Sequence, residues 1–375
     1  MNRDPFILAS GPPTRNAEMI SRAFDIGWNG AVTKTICLNH EDMVEVAPRI
    51  HRVNNGLKNI ELISPRSVEE WVEDVRFLKS KYPEKTVIAS ISAEAGNIAA
   101  WQKLALMMQD AGSDALELNF SCPHGLPEKN MGNTCSDIPE AAGLITKSVK
   151  QVSKIPVWVK LSPNVTSISY LAQVCVGNGA DCITAINTVK GFAGVDIETG
   201  KPILSTYGGI SGQTIKPIAL KAVSEIASLV KCPVSAAGGI STWQDAVEFI
   251  LLGASTVQIC TEVMLSGYEI IHNLSQGLAD YLGMNTLDNI RGTSLKYVTS
   301  FYKLDNTYKV ISEIDFETCT KCEKCYISCR DAGYQAIDIC YKIDKEKCTG
   351  CGLCSAVCPA ECIKVTPVIL RRANK

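Results

Sequence analysis

Short runs of β-branched and other apolar residues alternate along most of the chain with segments in which apolar residues recur every three or four positions. The runs have the length of buried strands, and the spaced segments have the period of amphipathic helices. Eight runs predict strands, at residues 6–10, 30–35, 87–92, 114–120, 157–162, 182–188, 234–240 and 256–261. The clearest helical segments are residues 67–82, 217–230 and 268–283.

Eight strand-then-helix units predict an α/β fold, a (β/α)₈ TIM barrel, over residues 1–284. Such barrels usually take about 250 residues, with insertions extra. A doubly wound open sheet is the alternative. The second unit carries a long insertion from Cys37 to Arg66, and in a barrel an insertion on that side shapes the site.

Polar side chains follow several of the predicted strands at the point where each strand ends. They are Lys34, Asn119, Ser121, Lys160, Asn187 and Thr188. Active sites of barrels lie at the C-terminal ends of the strands, so we expect these residues to meet at one mouth of the barrel.

The composition is that of an ordinary globular protein, with 46% apolar and 20% charged residues and a net charge of -2. A length of 375 residues favours a large domain plus a small one. The charge balance gives no general attraction to nucleic acid or to anionic lipid. No stretch is long and apolar enough for a signal-peptide core or a membrane span, so we expect a cytoplasmic protein.

Cysteines are concentrated near the C-terminus, where ten of the seventeen lie after residue 318. In a reducing compartment this clustering indicates metal binding or catalysis, not a disulfide framework. Eight of them form two C-x₂-C-x₂-C-x₃-C runs, the pattern of two-cluster bacterial ferredoxins, in which the fourth cysteine of each run ligates the other cluster. We therefore assign one four-iron cluster to Cys319, Cys322, Cys325 and Cys358, and the second to Cys348, Cys351, Cys354 and Cys329.

The runs predict a small α+β ferredoxin-like domain over residues 315–375, after a connector at 285–314 without a clear pattern. Structural zinc is the alternative, but zinc sites usually draw pairs of cysteines from separated knuckles. Arg330 stands where proline usually follows the fourth cysteine, which would change the local charge near a sulfur. Cys340 and Cys362 lie outside both runs, and we expect them to be small buried apolar residues.

Two clusters in series carry single electrons and need a converter at one end. Flavin can take electrons singly and deliver a hydride. In many barrels the loops after strands seven and eight bind a phosphate through backbone N–H groups, and Gly238 and Gly239 occupy that place here. Together with Lys34 and Lys160 at strand ends, they favour FMN.

Several motifs resemble those of dihydropyrimidine dehydrogenases and, more distantly, of dihydroorotate dehydrogenases. They are "VTKT", "LELNFSCPHGLPEKNMGNTC", "KLSPNVT", "AINTVKG", "YGGISGQTIKPIAL" and "GGISTWQDAVEFILLGASTVQICTEVM". The resemblance runs from "ILASGPPT" to the cysteine repeat and is to the barrel-plus-ferredoxin subunit of the bacterial two-subunit, NAD-dependent enzymes.

The resemblance implies roles for individual residues. It implies FMN binding by Ala9, Ser10, Lys34, Thr35, Lys160, Gly209, Gly238, Gly239, Cys260 and Thr261. It implies pyrimidine binding by Asn97, Asn119, Ser121, Asn187 and Thr188, and it makes Cys135 the catalytic acid. The loop that holds Asn97 is one residue longer than the family pattern, and Glu94 in it could add a contact. Cys122 is expected to pack near the flavin, and His124 to bond the backbone.

The implied reaction is reduction of the 5,6 double bond of uracil or thymine, with hydride added at C6 and a proton at C5 from the opposite face. A thiol is mostly protonated at neutral pH and can supply that proton. The chain has no G-x-G-x-x-G fingerprint between a strand and a helix, so we expect a separate NAD(H)- and FAD-binding flavoprotein subunit to oxidise NADH. The family also implies a hetero-oligomer built on a barrel–barrel homodimer.

Four other activities remain open from the sequence. One is oxidation of dihydroorotate, with electrons leaving through the clusters, and a second is reduction of another cyclic imide. A third is an electron-transfer subunit without its own substrate. The fourth, tRNA dihydrouridine synthesis, also uses an FMN barrel, but the pI of about 6.2 argues against RNA binding.

Overall fold

A computed structural model describes residues 4–39, 41, 45–120, 134–305 and 308–368. It divides into two compact units, Met1–Tyr297 and Val298–Lys375, each with its own hydrophobic core. Among the described residues no helix is both long and apolar enough to cross a membrane.

The first unit is a closed barrel of eight parallel strands, so the predicted TIM barrel is confirmed. Its strands are β1 (Phe6–Leu8), β2 (Gly30–Val32), β5 (Thr86–Ile91), β6 (Ala115–Asn119), β7 (Val157–Leu161), β8 (Cys182–Ala185), β11 (Val234–Ala237) and β12 (Thr256–Ile259). Each lies within or one residue from a predicted strand. These strands are short apolar runs because a barrel strand is covered on its outer face by helices and on its inner face by other strands.

Helices pack around the barrel, and the three predicted most clearly are confirmed. The helices of this unit are α1 (Ala17–Ile26), α2 (Val68–Lys81), α3 (Ile98–Asp110), α4 (Thr134–Asp137), α5 (Pro139–Val152), α6 (Ile168–Gly177), α7 (Lys216–Leu229), α8 (Trp243–Leu251), α9 (Thr261–Ser266), α10 (Ile270–Leu282) and α11 (Leu287–Ile290). Capping boxes begin α2 at Ser67 and α8 at Thr242, where side-chain oxygens accept from the first free N–H groups.

Two chain segments outside the barrel build a four-stranded antiparallel sheet, which we call the accessory sheet. Its strands are β3 (Ile50–Val53), β4 (Gly56–Asn59), β9 (Val189–Gly191) and β10 (Gly208–Gly212), in the order β3-β4-β10-β9. The first two come from the predicted insertion after β2, and the other two come from the segment after β8. Lys58 is fully buried here and donates to the carbonyl oxygens of Leu204 and Thr206, which fixes the chain leading into β10.

The second unit is a small α+β domain, as predicted. Strand β13 (Lys309–Ile314) pairs antiparallel with β14 (Ile363–Val368), and two helices, α12 (Lys324–Asp331) and α13 (Leu353–Ala356), carry cysteines. The expectation of an unpatterned connector over residues 285–314 was wrong for its last six residues, because β13 belongs to this domain. Its partner strand lies some fifty positions further along the chain, so its pairing, unlike its β-branched residues, cannot be read from the local sequence.

Candidate active site

The C-terminal ends of the barrel strands and the accessory sheet enclose one cleft of about 1210 Å³, part of it open to solvent. Ligands of barrel enzymes bind at this face, in concave sites where a few polar groups converge. The barrel contributes Ala9–Pro12, Lys34, Thr35, Asn119, Lys160, Ile186–Thr188, Ala237–Ser241 and Gln258–Thr261 to the lining. The accessory sheet and the residues beside it contribute Ile50, Leu57, Asn59, Glu61–Ile63 and Ser211–Gln213.

The two lysines of the cleft are both nearly buried, and each faces a carboxylate. Lys34 Nζ lies 2.8 Å from Glu61 Oε1, and Lys160 Nζ lies 3.6 Å from Glu117 Oε1. Glu117 is completely buried, whereas Glu61 keeps a small exposed fraction and is also approached by Arg49. Because buried charges are costly without a partner, the two pairings stabilise the site and leave little net charge in the cleft.

Glu117 belongs to a polar layer inside the barrel, one layer below the cleft. Its Oε2 accepts hydrogen bonds from Thr184 Oγ1 (2.8 Å) and from Gln258 Nε2 (3.0 Å). Gln258 also donates to Ser235 Oγ, so strands β6, β8, β11 and β12 are joined through side chains. These hydrogen bonds fix the position of the Glu117 carboxylate, which faces Lys160.

Hydroxyl and amide groups form a second network at the other side of the mouth. Thr35 Oγ1 lies 2.8 Å from Ser90 Oγ and 3.3 Å from Ser10 Oγ, and it accepts from Asn119 Nδ2 at 2.9 Å. The amide of Asn119 is therefore held by a residue of a different strand. Such a side chain can present one defined donor and acceptor pattern to a ligand.

Glycines allow close packing of the chain at two places around the cleft. Gly239 has a φ of +81°, and a Cβ there would lie 2.6 Å from Lys216 Cβ. At Gly209 a Cβ would lie 2.2 Å from Thr188 Oγ1. The carbonyl oxygen of Gly209 accepts a hydrogen bond from Asn59 Nδ2 across 3.3 Å. Any side chain at either position would displace a residue of the lining.

The structure brings most of the site residues that the sequence predicts to this one cleft. Nine of the ten expected FMN residues line it, namely Ala9, Ser10, Lys34, Thr35, Lys160, Gly238, Gly239, Cys260 and Thr261. Gly209 does not line it but packs directly behind Thr188. Of the expected substrate residues, Asn119, Asn187 and Thr188 line the cleft, and Ser121 lies outside the described residues, as do Cys122 and His124.

Asn97 does not lie with the other expected substrate residues. It is exposed and begins helix α3, where its side chain accepts from the N–H of Ala100 at 3.1 Å. Asn59 and Glu61 line the cleft instead, although the sequence analysis did not name them. The signal that could have found them is "LKNIEL" inside the long insertion, but its position depends on pairing with β10.

Cys135 is fully buried in α4, within the main hydrophobic core. Burial raises the pKa of its thiol to about 12, so the thiol keeps its proton at neutral pH. The neighbouring Ser136 Oγ donates to the carbonyl oxygen of Phe120 at 2.7 Å. That bond ties the start of α4 to the residue directly after Asn119, at the mouth of the barrel. Cys135 itself is not among the described lining residues.

The second unit contains a separate apolar cavity of about 330 Å³. Four of its lining residues are Cys329, Cys348, Cys351 and Cys354, the set that the cysteine pattern assigns to one cluster. Among the described residues no three His, Cys, Asp or Glu side chains converge on a single metal ion. A four-iron cluster does not require such convergence, because its four cysteines bind four different irons.

Three residues around the cysteine runs clarify earlier expectations. Arg330 is exposed. Its guanidinium pairs with Asp331 at 2.7 Å and lies over the Tyr326 ring, so the Asp331 carboxylate compensates its charge. Cys362 is buried, as expected, with its Sγ 3.4 Å from Cys358 Sγ. Cys340 is exposed, so the expectation of a buried apolar role was wrong there, because the turn at Asp338 directs it to solvent.

Two buried oxygens of the cleft, Thr188 Oγ1 and Gln258 Oε1, have no hydrogen-bond partner among the described residues. Buried polar groups rarely stay unpaired, so these atoms indicate a ligand that meets them. A polar ligand at this place would also lie against the backbone of Gly238 and Gly239 and near two lysines. The lining therefore fits a large phosphorylated cofactor such as FMN.

Comparison with known proteins agrees with both units. A sequence model described as dihydroorotate dehydrogenase matches residues 2–282, and one described as a 4Fe-4S dicluster domain matches residues 312–365. The NAD-dependent dihydropyrimidine dehydrogenase subunit PreA of Escherichia coli K12 is 38% identical over 99% of this chain and 95% of its own length. The chloroplastic dihydropyrimidine dehydrogenase (NADP(+)) of Arabidopsis thaliana is 38% identical over 79% of this chain and 75% of its own length.

The catalytic subunit of the NAD(+)-dependent dihydroorotate dehydrogenase B of Pyrococcus abyssi is 39% identical over 78% of this chain and 96% of its own length. Its match does not extend over the whole chain, whereas that of the bacterial subunit does. FMN is the cofactor of the barrel family, and iron–sulfur clusters are those of the C-terminal domain. The chain thus belongs to the dihydroorotate dehydrogenase family of FMN-dependent oxidoreductases acting on CH–CH groups, in its PreA-like branch with a C-terminal 4Fe-4S domain.

Proposed function

We propose that this chain reduces the 5,6 double bond of a pyrimidine base, converting uracil or thymine to the dihydro form. The observation that carries the proposal is one chain that combines an amide-lined, charge-balanced cleft with a cysteine-lined second unit. A dihydropyrimidine dehydrogenase subunit that matches 99% of the chain supports it.

FMN would occupy the part of the cleft formed by the predicted lining residues. Bound there, it supplies a hydride from electrons received one at a time. Gly238 and Gly239 line the cleft, and their backbone would bind the phosphate end. Lys160 pairs with Glu117 in the polar layer below, and its ammonium would bind the FMN.

Among the amide side chains that line the cleft, those of Asn59, Asn119 and Asn187 can bind the pyrimidine ring. Uracil has two carbonyl groups and two N–H groups, and an amide side chain offers both a donor and an acceptor. Lys34 and Lys160 each face a carboxylate, so among the described lining residues neither lysine is left for a substrate carboxylate. This arrangement favours a neutral ring over dihydroorotate.

Cys135 would donate the proton to C5. Its raised pKa keeps the thiol protonated, which suits a general acid and not a thiolate nucleophile. The bond from Ser136 to Phe120 supports this role, because it holds α4 beside the strand end that carries Asn119.

Electrons would arrive through two four-iron clusters. The cavity lined by Cys329 and the second cysteine run supports the crossed ligation of one cluster. The remaining cysteines, Cys319, Cys322, Cys325 and Cys358, would hold the other. We assign NADH oxidation to a separate NAD(H)- and FAD-binding flavoprotein subunit, because the sequence lacks a dinucleotide fingerprint.

The test is anaerobic and uses the isolated chain loaded with FMN and clusters. The protein is reduced chemically and mixed in turn with uracil, thymine and orotate, while flavin absorbance is followed. We expect rapid flavin reoxidation by uracil or thymine and none by orotate, and we expect NADH to reduce the isolated chain poorly.

Two results would contradict the proposed reaction, and a third would contradict the proposed partner subunit. Reoxidation by orotate but not by uracil would establish dihydroorotate chemistry. Reoxidation by none of the three, with FMN and clusters present, would leave an electron-transfer subunit or another cyclic imide as substrate. Efficient NADH oxidation by the isolated chain would remove the need for a partner subunit.

A further inference from the structure

Ser312 lies in the second unit on strand β13, seven positions before the first cysteine of the runs. It is buried, and its position on the strand is fixed by the pairing of Ser312 with Val365 on β14. Strand β13 also packs against the second cysteine loop. A Cβ at Gly350 would lie 2.3 Å from the carbonyl oxygen of Val310. The strand and the loop are therefore in close contact at this point, with no room for a side chain on Gly350.

The hydroxyl of Ser312 faces a cluster cysteine. The Cys354 thiol donates to Ser312 Oγ across 3.1 Å, and both residues line the cavity that Cys329, Cys348 and Cys351 also line. A sulfur that binds iron is a thiolate and carries no proton, so in the loaded protein it can only accept. A hydroxyl can both donate and accept, so the same pair persists with its direction reversed.

We propose that Ser312 donates a hydrogen bond to Cys354 Sγ in the loaded protein and thereby raises the reduction potential of the cluster bound by Cys329, Cys348, Cys351 and Cys354. This rests on the two-cluster assignment of the proposed function. Hydrogen bonds to the sulfurs are among the factors that set cluster potentials. An added electron increases the negative charge on the sulfurs, so a donor stabilises the reduced cluster more than the oxidised one.

The experiment is a redox titration of the full-length, cluster-loaded protein, followed by electron paramagnetic resonance of each cluster. Ser312→Val and Ser312→Thr are matched in size and differ in the hydroxyl. We expect Ser312→Val to lower the potential of one cluster, so that its ratio of reduced to oxidised form at a fixed potential falls at least tenfold, which is about 59 mV for one electron. Ser312→Thr keeps the donor and should stay near the wild-type value.

Ser328→Ala is the control for the loss of a hydroxyl in the same unit, because Ser328 Oγ donates to the carbonyl oxygen of Cys325 and not to a sulfur. It should leave both potentials unchanged. Equal potentials in Ser312→Val and Ser312→Thr, or an equal shift of both clusters, would overturn the role of Ser312. A wild-type protein with iron and spectra for only one cluster would instead overturn the two-cluster assignment.

Discussion

In the second unit, the four cysteines of each run lie within eleven residues, and they meet residues of the same small core. The cleft of the barrel takes its lining from residues as distant along the chain as Ala9 and Thr261. The first kind of site depends on local spacing and on a metal cluster that holds it together. The second depends on closure of the whole barrel and on buried ion pairs formed before any ligand binds. Single substitutions should therefore affect the two kinds of site differently: cluster binding in the second unit, and catalysis or folding in the barrel.

The largest effect is expected from a cluster ligand. Cys348→Ser should remove the cluster at the second cavity and nearly abolish turnover driven by NADH and the partner subunit, because the electron path is interrupted. FMN content should not change, because the two units have separate cores. Iron analysis and the flavin spectrum measure this, with Cys340→Ser as the exposed-cysteine control. Loss of FMN together with iron would show that the units depend on each other.

The next largest effect tests the barrel chemistry alone. Cys135→Ala should slow reoxidation of the reduced flavin by uracil about 10²–10⁴-fold, the usual contribution of a positioned general acid. Cys175→Ala is the matched control, because burial also raises the pKa of that thiol to about 12 and it lies in helix α6 of the core. Stopped-flow absorbance at several pH values is the measurement.

With the pKa of Cys135 raised to about 12, deprotonation of this thiol should cause no fall in rate across the neutral range. A rate unchanged in Cys135→Ala would contradict the role of Cys135 as the acid.

A third change separates the two ion pairs within the cleft. Glu117→Gln leaves Lys160 buried without its carboxylate, which should lower the free energy of unfolding of the barrel by about 3 kcal/mol. Glu61→Gln should cost less, because that carboxylate is partly exposed whereas Glu117 is fully buried. Urea unfolding followed by tryptophan fluorescence compares them. Equal losses would mean that burial does not distinguish the two pairs.

The smallest effects come from two aspartates that each bond backbone N–H groups, one in each unit. Burial pushes the pKa of Asp245 upward, but hydrogen bonds from Lys216 and from the N–H groups of Ser241 and Thr242 outweigh it and hold the pKa below its usual value. Hydrogen bonds from the N–H groups of Lys347 and Glu346 hold the pKa of Asp344 low in the same way.

A lowered carboxyl pKa stabilises the fold above the unfolded value of about 3.9, and the contribution is lost as the pH falls through the folded value. Asp245→Asn should therefore lose about 1 kcal/mol near pH 7 and flatten the acid limb of barrel stability. Asp344→Asn should affect only the second unit and by less, because Asp344 is exposed. Unfolding as a function of pH measures both. An unchanged acid limb in Asp245→Asn would show that another carboxyl sets it.

The features of the fold and site that depend on local sequence patterns could be predicted from the sequence. The barrel strands are short apolar runs that end in polar residues, so both the strands and most cleft residues could be found. The accessory sheet was not predicted: β3 and β4 form a local hairpin, but the pairing of β4 with β10 that brings Asn59 to the cleft joins distant segments. Asn97 was chosen from its loop alone, whereas its position before α3 makes it a helix cap. Strand β13, with Ser312, was missed for the same reason as the accessory sheet.

The accessory sheet has a practical consequence for altering substrate range. Asn59 and Gly209, 150 residues apart in the chain, are joined by a hydrogen bond, and the close approach of Gly209 to Thr188 leaves no space for a new side chain. A loop transplanted from a relative into residues 37–66 would arrive without the strand it must pair with. Engineering of specificity in this enzyme should therefore exchange residues 37–66 and 189–212 together as one module, and libraries confined to either segment should yield mostly misfolded variants.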